Sequence, residues 1–302
     1  MTARLNQATT SGFAMPAPDA KLTATPTDGP VGAFVSGVDL SRPLDPATAT
    51  ALHTALGEHG VLFFRDQEIT PEQHIAFAQA LAPIVINRFF TPVADYPQIA
   101  EVRKEADQKN NIGGAWHADH SYDEIPATGS ILVARELPPS GGDTLFASMY
   151  AAYDSLSEAT KARIAGARAL HSSRHVFGAG AAHLTDTANN DQGDRYRNPE
   201  AATQDVWHPV VIRHPISGRK ALYVNPDFTV RIDGLPEDES NALLEELFTH
   251  ARRPEHIYRF AWKPGSIALW DNRATWHLAL NDYHGHRRLM HRITLEGVAL
   301  ER

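Results

Sequence analysis

Short apolar runs punctuated by Gly, Pro and Asp dominate the chain, and only a few stretches carry the wider spacing of a helix. Leu22 to Thr25 and Gly32 to Val38 read as short strands separated by the turn residues Asp28-Gly29-Pro30. A helix is predicted next. Asp45 suits its N-cap, Pro46 its first turn, Leu52, Ala55 and Leu56 form its apolar stripe, and Gly60 stops it. Val61 to Phe64 is apolar throughout, as a strand buried on both faces should be. Thr70-Pro71-Glu72-Gln73 reads as a capping box opening a second helix through Phe77 to Leu81, which Pro83 ends.

Further along, Ile99 to Val102 and the stretch from Ser130 (Ile131, Val133) read as strands, and Ala159 to Ala167 as a surface helix. His208 to Val224 has the form of a hairpin around Pro215-Ile216-Ser217-Gly218. Glu237 to Arg252 is amphipathic, with Leu243, Leu244, Leu247 and Phe248 on one side. Four strand-like runs close the chain: Ile257 to Trp262, Ser266 to Trp270, Trp276 to Leu280 and Leu289 to Gly297. Many short strands with few helices predict a mainly β fold, a jelly roll with helices packed outside. The organisation expected is a loose polar arm over residues 1–21 and a single domain over 22–302. Two polar segments are candidate lids: 103–115, otherwise an ordinary solvated loop, and 178–205, otherwise a disordered excursion.

Composition narrows the chemistry. A formal charge of −8 argues against a nucleic-acid partner, whose phosphates call for clustered Lys and Arg. Without Cys, thiolate nucleophiles, disulfides and thiolate-bound metals are excluded, so a metal must be held by His and carboxylate. The apolar runs are too short for a helical membrane span, and the amino-terminal residues lack the apolar core of a secretory signal, which makes the cytoplasm the expected compartment.

His117 and Asp119 are spaced to present an imidazole and a carboxylate on one face of an extended segment. Alone, such a pair is as easily incidental. His277, in the apolar stretch Trp270-Asp271-Asn272-Arg273-Ala274-Thr275-Trp276-His277, is the candidate third ligand. It completes a two-His, one-carboxylate facial triad, the arrangement that leaves positions open on non-haem Fe(II). Alternation then places Arg288 and Arg292 on one strand face, and two inward guanidinium groups are costly unless they meet anions.

Taken together, His117-x-Asp119, Gly141-Gly142-Asp143-Thr144, Trp270-Asp271-Asn272-Arg273 to His277, and Arg288 with Arg292 resemble the taurine dioxygenase and 2,4-D dioxygenase (TauD/TfdA) group over about Gly32 to Gly297. The resemblance implies a double-stranded β-helix and an Fe(II)- and 2-oxoglutarate-dependent dioxygenase. It implies His117, Asp119 and His277 as iron ligands, Arg288 and Thr144 on the distal carboxylate of 2-oxoglutarate, and Arg292 towards the substrate. Phe177 and Phe228 stand where the family places substrate-facing aromatics, and His120 is a lesser substrate candidate, since a regular strand would turn it away from His117. Trp116, Trp270 and Trp276 are expected in the core. Taurine enzymes carry Asn where this chain has Gly113, and His171 to Gly178 is closer to aryloxyalkanoate-cleaving members. The expected substrate is therefore a small organic anion, an aryloxyalkanoate, sulfonate or sulfate ester. Hydroxylation next to its heteroatom would cleave it, with succinate and CO2 formed from 2-oxoglutarate and O2. A homo-oligomer, dimer or tetramer, is compatible with the sequence. A zinc hydrolase using the same three ligands and a non-catalytic jelly-roll binding protein remain the alternatives at this point.

Overall fold

In the computed structural model, residues 21–181 and 194–300 are described. All but the last residue of the 1–21 arm, and 182–193 of the second candidate lid, lie outside them.

The large sheet runs in the order Thr23–Pro26, Ala33–Ser36, Val61–Phe64, Ile267–Asp271, Gly129–Glu136, Arg288–Leu295, Tyr96–Lys104, Pro92–Val93, with Ile84–Val85 beside Arg288–Leu295. Its pairings are antiparallel except that between Ala33–Ser36 and Val61–Phe64. Facing it is a smaller antiparallel sheet, Ile257–Phe260, Thr144–Ser148, Thr275–Ala279.

Side-chain alternation decides which face each residue serves. Ile267 and Leu269, with Ile131, Val133, Ile293 and Leu295, point outward and are sealed by Leu52 and Leu56 of helix Pro46–His59 and Phe77 and Leu81 of helix Pro71–Leu81. Ala268, Trp270, Leu132 and Met290 point inward, where they meet Phe146 and Phe260 of the small sheet. Phe63 and Phe260, one from each sheet, stack with ring centroids 4.2 Å apart. The small sheet is covered outside by helix Glu237–Ala251, whose Leu243, Leu244, Leu247 and Phe248 bury against Trp276 and Met149. Two sheets face to face with helices outside are the jelly roll expected.

Both helix starts are as predicted. Asp45 accepts from the amides of Ala47 and Thr48, and Thr70 and Gln73 form a reciprocal capping box. The strands over 257–297 fall within a residue or two of their predicted bounds. Helix Met149–Asp154, capped by Ser148, was not anticipated, because it starts at the last residue of a strand with no intervening loop to mark it. The hairpin is Val211–Arg213 with Lys220–Leu222. Among the described residues no helix is long and apolar enough to cross a membrane.

Candidate active site

His277 sits on the central part of strand Thr275–Ala279, opposite Phe146 of the neighbouring strand. On its other side His117 forms an isolated antiparallel bridge, each residue's amide donating to the other's carbonyl at 3.2 and 2.9 Å. The expectation of a regular strand through 117–119 is therefore corrected: only His117 pairs, and Asp119 and His120 lie in a turn. His120 adopts the left-handed region, φ 58°. The departure from a strand leaves the ring of His120, a lesser substrate candidate from the sequence, on the wall of the same cavity as its neighbours.

One ligand atom each from His117, Asp119 and His277 lies within 4.8 Å of the others. His117 Nε2 is 3.7 Å from Asp119 Oδ1, and His277 Nε2 is 3.9 Å from Asp119 Oδ2. Supporting contacts fix their chemistry. His117 Nδ1 lies 2.9 Å from the Ala115 carbonyl, which can only accept, so Nδ1 carries the proton and Nε2 keeps its lone pair. Ser130 Oγ donates to Asp119 Oδ2 at 2.9 Å, and Arg292 Nη1 to Oδ1 at 2.9 Å. Burial alone would push the Asp119 carboxyl up, but Arg292, His277 and His117 outweigh it and hold it well below the usual carboxylate range. Burial, reinforced by His117, drives the His277 imidazole far down. An ionised carboxylate beside a neutral His277 imidazole is a state in which such groups take up a cation.

Arg288, Met290 and Arg292 share the inward face of strand Arg288–Leu295, so both guanidinium groups enter the interior. Arg288 is 4 % exposed, and its Nε and Nη2 have no hydrogen-bond partner among the described residues. The ring of Trp262 lies 5.8 Å from its guanidinium carbon. A buried cation with two unpaired nitrogens is costly, so this end of the cavity is suited to an anion. Thr144 lies beside it: its Oγ1 accepts from Trp262 Nε1 at 3.0 Å, leaving the hydroxyl proton to donate into the cavity. The Gly141-Gly142 pair has a steric purpose. Gly142 has φ 71°, and a Cβ there would stand 3.1 Å from Arg288 Cδ and Nε.

The cavity these groups surround opens to solvent, and the empty space within and at its mouth is about 760 Å³. Its far wall is aromatic. Phe177 stacks on Phe89 at 4.4 Å, Tyr122 meets Phe228 edge-on at 4.8 Å, and Arg292 lies 4.6 Å over Phe90. All nine residues singled out from the sequence, His117, Asp119, His120, Thr144, Phe177, Phe228, His277, Arg288 and Arg292, line this one space. Trp270 lines it too, in contact with His277 at 4.6 Å between ring centroids, although it is also core; Trp116 and Trp276 pack into the outer core as expected. Sequence reasoning missed Phe90, Tyr122, Tyr196 and Asp227 on the wall. It also missed Ser130 behind Asp119, and Asn87, whose Nδ2 is 3.3 Å from His120 Nε2.

Residues 20–294 match the family described as taurine catabolism dioxygenase TauD, TfdA family. The chain belongs to the TauD/TfdA family. Among its relatives is an alpha-ketoglutarate-dependent sulfate ester dioxygenase of Pseudomonas putida, 35% identical over 92% of this chain and 90% of that protein. Another is a (S)-phenoxypropionate/alpha-ketoglutarate-dioxygenase of Sphingobium herbicidovorans, 36% identical over 84% of this chain and 88% of that protein. In three dimensions it superposes on AAD-2, solved with Mn(II) and N-oxalylglycine, with a TM-score of 0.75, 30% identity, and 93% of this chain and 100% of that chain covered. This TauD/TfdA chain is thus a 2-oxoglutarate-dependent dioxygenase with a jelly-roll fold, and membership decides against the zinc hydrolase and the non-catalytic binding protein.

Proposed function

We propose that the chain hydroxylates a small organic monoanion at a carbon next to a heteroatom, using iron(II), 2-oxoglutarate and O2, and that His117, Asp119 and His277 hold the iron. The observation that carries this reading is the buried guanidinium of Arg288, with Nε and Nη2 unpartnered among the described residues, lining the same cavity as the three ligand residues. The donor set fits ferrous iron: two imidazole nitrogens and one carboxylate, with the rest of the coordination left to small ligands. N-oxalylglycine, bound in AAD-2, is 2-oxoglutarate with one CH2 replaced by NH, which supports a cavity of this kind as a 2-oxoglutarate site.

Iron(II), when bound, supplies the redox chemistry that couples O2 to decarboxylation of 2-oxoglutarate, one oxygen atom going to succinate and the other to the substrate C–H. Arg288 holds the distal carboxylate through paired N–H donors, and the Thr144 hydroxyl adds a third hydrogen bond. Arg292, bridging Asp119 and the aromatic wall, receives the anionic end of the substrate. Phe177 and Phe228 pack the organic portion and keep water away from the reacting carbon. Where that carbon bears an ether or sulfate oxygen, the new hydroxyl gives a hemiacetal-type centre. It collapses to a carbonyl compound and releases the phenol, alcohol or sulfate. Ile112 and Gly113 from segment 103–115, and Tyr196 from segment 178–205, line the cavity, which supports a lid role for these segments.

A screen of alkyl sulfates, aryloxyalkanoates and alkane sulfonates tests the reading. The expected result is succinate formed in step with product and only when Fe(II), 2-oxoglutarate and O2 are all supplied. Product formed without 2-oxoglutarate would overturn it.

A further inference from the structure

Strand Tyr96–Lys104 runs beside Arg288–Leu295 with Lys104 opposite Arg288, Val102 opposite Met290 and Ala100 opposite Arg292. Residues directly opposite each other in an antiparallel pair share a face. Lys104 therefore lies on the inward face with Arg288, two residues from Val102 on the cavity wall. It is 1 % exposed, and it is the one buried lysine among the described residues. Lysines are almost never buried so deeply, and like charges at directly opposite positions of a sheet repel. None of the roles above uses this residue.

Packing brings both cations to one ring. Lys104 Nζ lies 4.5 Å from the ring centroid of Tyr283, which is itself buried. The same ring flanks the Arg288 stem, since a Cβ on Gly142 would stand 3.3 Å from Tyr283 Cδ1 and 3.1 Å from Arg288 Cδ and Nε. An aromatic face attracts an ammonium without neutralising it. The carboxylate of Asp143, next to Gly142, is taken by Arg259 at 2.6 Å. Positive charge is thus concentrated at the end of the cavity where Arg288 and Thr144 stand, and its electrostatic cost falls when an anion reaches Arg288.

We propose that Lys104 is a positioning residue for 2-oxoglutarate. Its charge, placed beside Arg288, strengthens the hold of that guanidinium on the distal carboxylate, and so sets the preference for a dicarboxylic over a monocarboxylic 2-oxo acid. This rests on the assignment of Arg288 to 2-oxoglutarate made above. The low-dielectric surroundings of two buried side chains let the second charge act at this range, where water would screen it.

The test is anaerobic calorimetry on the full-length, Fe(II)-loaded protein with two ligands. One is 2-oxoglutarate. The other is 2-oxopentanoate, which keeps the keto-acid end and has a methyl group in place of the distal carboxylate. Damage to the fold or to the metal ligands weakens both acids alike, whereas loss of charge at Lys104 weakens only the first. Lys104→Met preserves the length of the side chain and removes its charge. It should reduce the preference for 2-oxoglutarate about tenfold and leave the Kd of 2-oxopentanoate unchanged. Lys104→Gln, neutral and polar, carries the same expectation where the methionine variant does not fold, and Lys104→Arg should restore most of the preference. A preference that is unchanged in the folded neutral variant, or that falls as far in Lys104→Arg, would overturn the proposal. No preference for 2-oxoglutarate in the unmodified protein would instead overturn the Arg288 assignment, and this proposal with it.

Discussion

Arg288 illustrates what single residues contribute here. Its guanidinium is buried and unpartnered on two nitrogens, so its removal withdraws the positive end of the cavity and leaves the shape largely intact. Arg288→Ala should raise the 2-oxoglutarate concentration needed for half-maximal activity by about 100-fold, the loss of one buried charge pair. Steady-state titration of 2-oxoglutarate checks this. A defect confined to the organic substrate would mean that Arg288 and Arg292 have exchanged roles. Asp119→Ala removes the anionic ligand and should abolish iron-dependent turnover; normal activity in that variant would refute the ligand assignment. The ligands and arginines were legible because each is a residue type that chemistry demands at a readable spacing. Asp227, Asn87 and Tyr196 were not, since each comes alone from a separate segment and no local pattern marks it. His120 was readable only as a lesser candidate, because its direction depends on one backbone angle, φ 58°, that residue type does not announce.

At the scale of elements, two turns hold the site in place. Gly141-Gly142 brings the strand start at Thr144 under the Arg288 side chain, and Gly142 donates its amide to Asp282 Oδ1 at 2.7 Å. Gly142→Ala forces a Cβ against Arg288 at a positive φ, and should weaken 2-oxoglutarate binding several-fold as well as destabilise the fold by about 1–3 kcal/mol. A fall in thermal midpoint with unchanged 2-oxoglutarate affinity would show that the contact with Arg288 is incidental. The second turn, Asp271 to Thr275, precedes the His277 strand. Arg273 grips Asp271 with two bonds of 2.9 and 2.6 Å, and His214 Nε2 adds a third at 2.9 Å, all buried. The His214 ring accepts backbone amides at Nδ1, so Nε2 carries the proton. Asp271→Asn leaves Arg273 buried without its counter-charge, a change that typically costs about 3–5 kcal/mol. Denaturant unfolding of that variant gives the number, and a cost under about 1 kcal/mol would contradict the role assigned to the pair. The helices and closing strands were readable because caps and alternation are local. Helix Met149–Asp154 was not, because Ser148 ends a strand and caps a helix at once.

For the molecule as a whole, the same burial that dries the cavity sets a pH limit on the fold. His74 and His171 are fully buried and driven well below their usual pKa of 6.5 by burial first, and His291 is pushed down to about 4 by burial and Arg135. Arg135 Nε donates to His291 Nδ1 at 3.1 Å, which requires a neutral ring. The unfolded chain takes up these protons below about pH 6.5 and the native one does not. The stability these rings contribute is thus present above that pH and is lost progressively as pH falls towards about 4. The denaturation midpoint should fall between pH 7 and 5, and less steeply in His291→Gln; a flat profile there would show that the rings are protonated in the native state. Architecture was legible at this scale because alternating apolar runs need two faces to bury, and the jelly roll supplies them. The convergence of three ligands and two arginines on one cavity is a tertiary fact, which spacing suggested in two separate pieces and only the resemblance joined.

The most direct measurement of the central claim is an anaerobic titration of purified protein with Fe(II) and 2-oxoglutarate, following the visible charge-transfer band of the chelated complex. The account predicts a band that requires both components, is absent in His277→Ala, and in Arg288→Ala forms only at much higher 2-oxoglutarate. A protein that binds neither, or whose band survives loss of His277, would contradict it.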